Sequence, residues 1–306
     1  MPQAVISFLL AALAAIDQQP PPAWQPRSLV HDGATRTWSE TVPAACTSPR
    51  ARCPVLVALH GGGGRTSGVQ FAGGTGLAAA GGARGYIVLA PDALGDNWND
   101  GRPELAAGID DVGFIRAMLA DLRGRAGVDP ARIFATGASN GGLMSYRLAC
   151  EGGFRAVAPV IANMGADLIE SCRPPRNVSL FMMPGTADRL MPYQGGAVAR
   201  GFGNRGTIVS SDRTLDFWSV AMGCGVTASS ERFDPVRDDT AVTVTRYDGC
   251  RGGVVVQRWT VEGGGHTWPG REGGRGLRAR LVGPTATEFS ATQVILDFFD
   301  AVGRER

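Results

Sequence analysis

The chain predicts an α/β fold, a mostly parallel sheet with helices on both faces. Short apolar runs recur along it, at Pro54–Leu59, Tyr86–Ala90, Ile133–Thr136, Ala156–Ile161 and Leu180–Met183, and Val254–Val261 reads as a further strand. Segments with helical spacing lie between several of them, such as Ile109–Arg123 and Asn140–Cys150. Glycine, proline or aspartate follows closely on several runs, as expected of strands buried on both faces that stop at a sheet edge. Strands alternating with helices build a sheet covered on both sides. Such a sheet binds its ligand at the carboxyl ends of the strands.

The elements follow in order. The polar, alternating segment Arg27–Val42 reads as early antiparallel strands. Pro54–Leu59 runs into His60 and the glycines Gly61–Gly64, and Tyr86–Ala90 stops at Pro91–Asp92. In Ile109–Arg123 the residues Val112, Ile115, Met118, Leu119 and Leu122 share one helical face. Asp110 and Asp111 read as charges at its N-terminus. Asp129–Pro130 is expected to turn the chain before Ile133. Ser211 or Asp212 is expected to cap a helix reaching Ala221, and Ala291–Val302 forms a closing amphipathic helix.

Bulk properties narrow the class. With 306 residues, 44% of them hydrophobic and 19% charged, the chain can bury one large core, assigned here to residues 21–306. A formal charge of +2 with no basic block points away from nucleic acid. Residues 1–20 hold an apolar run, Ala4–Ile16, followed by a polar, proline-rich stretch. The run is too short to span a bilayer and looks like a signal peptide, although no Lys or Arg precedes it. The expected location is therefore secreted or periplasmic.

The cysteines agree with export. Six are present, in three neighbouring couples, and none has zinc-ligand spacing. The simplest pairing is Cys46–Cys53, Cys150–Cys172 and Cys224–Cys250, one of many possible. Disulfides persist in oxidising compartments. Neither a metal nor another cofactor is expected.

The chemistry lies at the strand ends. Gly137-Ala138-Ser139-Asn140-Gly141 follows an apolar strand and opens a helix, the context of a Gly-x-Ser-x-Gly nucleophile elbow and of the α/β-hydrolase fold. Glycine is needed on each side because side chains there would collide across the sharp turn. A neutral serine needs a base. Of the three histidines only His266 follows Ser139, as the Ser–Asp–His chain order of this fold requires. Between them Asp188, on the loop after Leu180–Met183, is the expected acid, with Asp167 next. Asp212 and Asp216 look like helix charges. The amides of Asn140 and Gly62 are the expected oxyanion donors, with Gly63 as the alternative to Gly62. His60 reads as bracing its loop. Trp98 and Trp268 lie near these motifs, either as substrate-stacking aromatics or as packing under a loop.

These motifs resemble the polyhydroxybutyrate depolymerase-like esterases, a group related to feruloyl and acetylxylan esterases. The resemblance rests on Leu59-His60-Gly61-Gly62-Gly63, Asn97-Trp98-Asn99-Asp100, Asp110-Asp111-Val112-Gly113-Phe114, Ser139-Asn140-Gly141-Gly142, Gly185-Thr186-Ala187-Asp188 and Gly265-His266-Thr267-Trp268-Pro269-Gly270, in order along the chain. It implies a secreted, metal-free hydrolase of carboxylic esters that works through an acyl-enzyme on Ser139. Pro184 departs from the family, which often has histidine there, and puts the local support of Asp188 in question. The expected substrates are short hydroxyacyl polyesters such as polyhydroxybutyrate. The alternative is a feruloyl or acetylxylan carbohydrate esterase. A serine peptidase or a non-catalytic binding protein are rivals of other classes.

Overall fold

The computed structural model describes residues 23–64, 66–199, 201, 203–225, 228–236, 238–271 and 277–304. The apolar leader, residues 1–20, lies outside the described residues. Ten strands form one sheet. They are β1 (Gln25–His31), β2 (Ala34–Thr41), β3 (Cys53–Leu59), β4 (Ile87–Pro91), β5 (Val128–Ala138), β6 (Ala156–Val160), β7 (Ser179–Met182), β10 (Ala228–Phe233), β11 (Ala241–Tyr247) and β12 (Val256–Glu262). Two short strands, β8 (Gly196–Ala197) and β9 (Thr207–Ile208), pair with each other.

The sheet order is β1-β2-β4-β3-β5-β6-β7-β12-β11-β10. From β4 to β12 every pairing is parallel, so these six strands all end at one edge. Antiparallel pairs extend the sheet on each side, β1 with β2 and β10 with β11.

Eight helices are described: α1 (Gly68–Gly74), α2 (Leu77–Ala83), α3 (Asp111–Arg123), α4 (Asn140–Glu151), α5 (Ala166–Ser171), α6 (Ser211–Ala221), α7 (Leu277–Val282) and α8 (Ala291–Arg304). The strand period of two sorts the core into two layers. Val55, Val57 and Leu59 of β3 pack with Ile115, Met144 and Trp218, hence with α3, α4 and α6. Leu56 and Ala58 pack with Phe71, Leu77 and Leu296, hence with α1, α2 and α8. These five side chains of β3 are fully buried, which is why the run carries no polar alternation.

Three expectations need correction. Asp129–Pro130 does not open a turn before the strand; β5 runs through it. Between Val128 and Ile133, β5 carries extra residues that β3 spans in the step from Cys53 to Val55, so the proline sits in a bulge where it removes no ladder bond. Helix α6 is capped by Ser210, whose hydroxyl accepts from the Arg213 N–H, and not by Ser211 or Asp212. Asp111 is more than a helix-end charge: it is fully buried against Arg36. Asp110 does cap α3, accepting from the Gly113 N–H.

The three disulfides are Cys46–Cys53, Cys150–Cys172 and Cys224–Cys250, the pairing of nearest neighbours.

Candidate active site

Ser139 stands between β5 and α4 with φ 57° and ψ −120°. A non-glycine residue with positive φ is strained, and such strain concentrates at functional positions. The flanking glycines explain why the chain can turn here. A Cβ on Gly137 would stand 2.5 Å from the backbone of Gly141, and one on Gly141 would stand 2.2 Å from the Leu59 carbonyl oxygen. The serine remains partly accessible while Asn140 beside it is buried.

Asp188 and His266 leave the same sheet edge, after β7 and β12. His266 Nδ1 donates to Asp188 Oδ2 at 2.7 Å. Asp188 Oδ1 accepts from the Leu190 and Met191 amides, each at 2.8 Å. Three donors fix this carboxylate in one orientation. Because Nδ1 carries the proton, Nε2 of His266 is left with a lone pair, the tautomer that a general base requires.

Backbone bonds supply most of the support for this pair, joined by the Gly263 N–H donating to Thr186 Oγ1 at 2.8 Å. Pro184 O accepts from the Val261 N–H at 2.9 Å, and Thr186 N–H donates to Val261 O at 2.9 Å. Ala187 N–H donates to Gly264 O, and Gly265 N–H to Pro284 O. The departure at Pro184 thus costs the loop little, because its carbonyl is the group in use. Asp167, the other acid considered, is exposed on α5, and Asp212 pairs with Arg258 on α6. His31 lies elsewhere, 3.0 Å from Asp110.

The glycine loop after β3 lies against the serine turn. A Cβ on Gly61 would stand 3.7 Å from Ser139 Cβ, and one on Gly62 would stand 3.1 Å from Asn140 Cβ. Gly63 N–H donates to Asp96 O at 2.8 Å, so that amide is already engaged. This favours Gly62 over Gly63 as a donor beside Asn140.

His60 braces the loop. Its Nδ1 lies 2.8 Å from Gly61 O, and its Nε2 accepts from the Ala93 N–H at 3.1 Å. Accepting an amide at Nε2 requires that nitrogen to be bare, so the ring is neutral with its proton on Nδ1. Burial holds its pKa below the ordinary histidine value, in agreement.

Neither tryptophan is an exposed platform. Trp98 is fully buried, tilted against His60, with its Nε1–H donating to His60 O. Trp268 is also buried; its ring meets Phe71 edge-on and its Nε1–H donates to Thr292. Of the two alternatives for these residues, burial favours packing under the loops, where each indole N–H finds an acceptor. Sequence reasoning missed a further group, Asp100 and Arg102, which join Asn140 in a buried network. Two charges in a polar loop read as solvated, and nothing local marks their burial.

No family model matches the chain. It is 32% identical over 292 residues to "Putative esterase NocK" of Nocardia uniformis subsp. tsuyamanensis, covering 89% of this chain and 81% of that protein. It is 29% identical over 232 residues to feruloyl esterase B of Piromyces equi, covering 73% of this chain but spanning only 41% of that protein. Among solved structures, acetyl xylan esterase from Aspergillus awamori superposes with a TM-score of 0.54 at 15% identity, covering 79% of this chain and 94% of that one. Thermogutta terrifontis esterase 2 phosphoramylated by tabun gives 0.54 at 16% identity, over 93% and 97%. The structural likenesses establish the α/β-hydrolase fold. The chain belongs to an esterase family of that fold, related to the feruloyl esterases.

Proposed function

We propose that the chain is a secreted serine esterase in which Ser139 is the nucleophile, His266 the base and Asp188 the residue that orients it. The observation that carries this reading is the Asp188–His266 hydrogen bond at the sheet edge where strained Ser139 also stands. Ser139 Oγ attacks the ester carbonyl carbon while His266 Nε2 takes its proton. The Asn140 and Gly62 amides hold the oxyanion. The carbon–oxygen bond to the alcohol breaks as His266 returns the proton to the leaving oxygen. Water, deprotonated by His266, then attacks the acyl carbon; the bond to Ser139 Oγ breaks, His266 returns the proton to Oγ, and the acid is released. Three disulfides support an oxidising, extracytoplasmic location.

Feruloyl or acetyl esters of plant polysaccharide are the favoured substrates. Named relatives include feruloyl esterase B and a feruloyl esterase C of Emericella nidulans. The polyester reading rests on motif resemblance alone, and the two tryptophans once available to stack on a polymer are buried.

A fluorophosphonate probe followed by peptide mass spectrometry is expected to mark Ser139. Ser139→Ala is expected to lower kcat by about 10⁴-fold or more with the fold intact. A label on another residue, or near-native turnover by Ser139→Ala, would overturn the assignment. Feruloylated xylan and a polyhydroxybutyrate suspension, assayed side by side for serine-dependent acid release, separate the two substrate classes.

A further inference from the structure

Asn140 does more than follow the serine. Its side-chain oxygen accepts from the Trp98 N–H at 2.8 Å, and its amide donates to Trp98 O at 3.1 Å and to Asp100 Oδ2 at 2.6 Å. Asp100 in turn receives Arg102 through Nη2 at 2.6 Å and Nε at 3.0 Å. Both side chains are sealed from solvent, at 0% and 1% exposure.

The far end of Arg102 reaches another loop. Its Nη1 donates to Arg205 O at 2.5 Å. Its aliphatic stem runs between two glycines: a Cβ on Gly165 would stand 3.4 Å from Arg102 Cγ, and one on Gly206 would stand 3.1 Å from Arg102 Cδ. From there main-chain bonds lead back to the acid. Val198 N–H donates to Gly206 O at 3.0 Å, Ala199 N–H to Leu190 O at 2.7 Å, and Leu190 N–H to Asp188 Oδ1 at 2.8 Å.

A buried ion pair is a poor stabiliser, since apolar residues of similar volume often serve as well or better. Its placement is therefore informative. We propose that Asp100 and Arg102 are positioning residues for ester hydrolysis: they set Asn140, and with it the oxyanion-binding amide, in register with the loop that carries Asp188. This rests on the serine-esterase reading above. Neither residue touches substrate; both act through Asn140.

The test is steady-state hydrolysis of 4-nitrophenyl acetate by Asp100→Asn, Asn140→Ala, the two combined, and Asp100→Leu/Arg102→Met, with circular dichroism and thermal unfolding on each. Misplacing an oxyanion donor is expected to lower kcat of Asp100→Asn about 10–100-fold. KM is expected to stay within about threefold, because the loss falls on the transition state. Inactivation by diethyl 4-nitrophenyl phosphate is expected to slow in parallel, since its phosphoryl oxygen uses the same donors. The combined Asp100→Asn/Asn140→Ala variant is expected to be no slower than the worse single one, because one acts through the other.

If Asp100→Asn fails to fold, the Asp100→Leu/Arg102→Met variant carries the test, as it leaves no charge unpaired. A folded variant with native kcat, or additive losses in the combined one, overturns the proposal. Ser139→Ala assayed alongside separates the two readings. Activity surviving there sinks the serine mechanism itself, whereas an inactive Ser139→Ala beside a native-like Asp100→Asn sinks only the positioning pair.

Discussion

The two arms of the site are built from different materials. On one side, the loops after β7 and β12 bring Asp188 to His266 mostly through main-chain bonds, Val261 with Pro184 and Thr186, Ala187 with Gly264, Gly265 with Pro284, and through one side chain, Thr186 Oγ1 accepting from Gly263. On the other, the loops after β3 and β4 meet through main-chain bonds of Gly63 and Gly64 to Asp96 but bring Gly62 beside Asn140 mostly through side chains: His60 on Ala93, Trp98 on His60, Asn140 and Asp100 on each other. Main-chain bonds survive most substitutions, because every residue but proline carries the same groups. A side-chain network fails at whichever member is replaced. The acid–base arm should thus be sensitive mainly at its functional side chains and at the glycines Gly185, Gly264 and Gly265, where a Cβ would collide with neighbouring residues. The glycine-loop arm should be sensitive throughout.

The sharpest way to examine that contrast is Asp188→Asn. Its Oδ1 can still accept from Leu190 and Met191, so the loop should keep its shape while the histidine loses its partner. The expected loss is about 10⁴-fold in kcat with an unchanged melting temperature. A large drop in melting temperature would mean that the carboxylate, and not the main chain, holds this arm.

Gly62→Ala addresses the opposite arm with a smaller effect. The added Cβ would fall 2.2 Å from Asn97 Oδ1 and 3.1 Å from Asn140 Cβ. Asn97 can swing away, but Asn140 is fixed at the start of α4, so the loop must retreat. A fall of about 10–100-fold in kcat is expected, with substrate binding little changed. Native turnover would show that the Gly62 amide is not a donor.

The mildest effect is on stability. His60 is held neutral, with a folded pKa below the ordinary value of 6.5. The unfolded chain then binds more protons than the folded one as pH falls below 6.5, so stability is lost as pH drops through that range and is fully present above it. His60→Gln, which has no titrating group, should flatten that slope between mildly acidic and neutral pH in urea unfolding. A slope equal to that of the unaltered protein would place the titration elsewhere.

Local patterning made most of the scaffold legible. Apolar runs marked the parallel strands other than β12, because strands buried on both faces have no polar side to show; β12 is partly exposed and mixes polar with apolar residues. The Gly137–Gly141 spacing marked the elbow through a collision between neighbours in sequence. Helix α1 was missed although Ser67 and Gln70 form a capping box there, a signal spanning only a few residues. The β10–β11 hairpin was missed because its first strand is largely exposed and polar.

By itself, then, the sequence marked the strand segments and the serine turn, made His266 the expected base by chain order, and offered the neighbouring cysteine couples as the simplest of many pairings. Each of these depends on residues close together or on chain order. Only the tertiary structure decided that Trp98 and Trp268 are interior, that the Gly63 amide is spent on Asp96, and that Asp100 and Arg102 form a dry bridge behind Asn140. The physical reason is separation. Burial and hydrogen bonding are settled by partners brought in from distant segments, as Asp100 meets Asn140 across 40 positions and Arg102 meets Arg205 across 103.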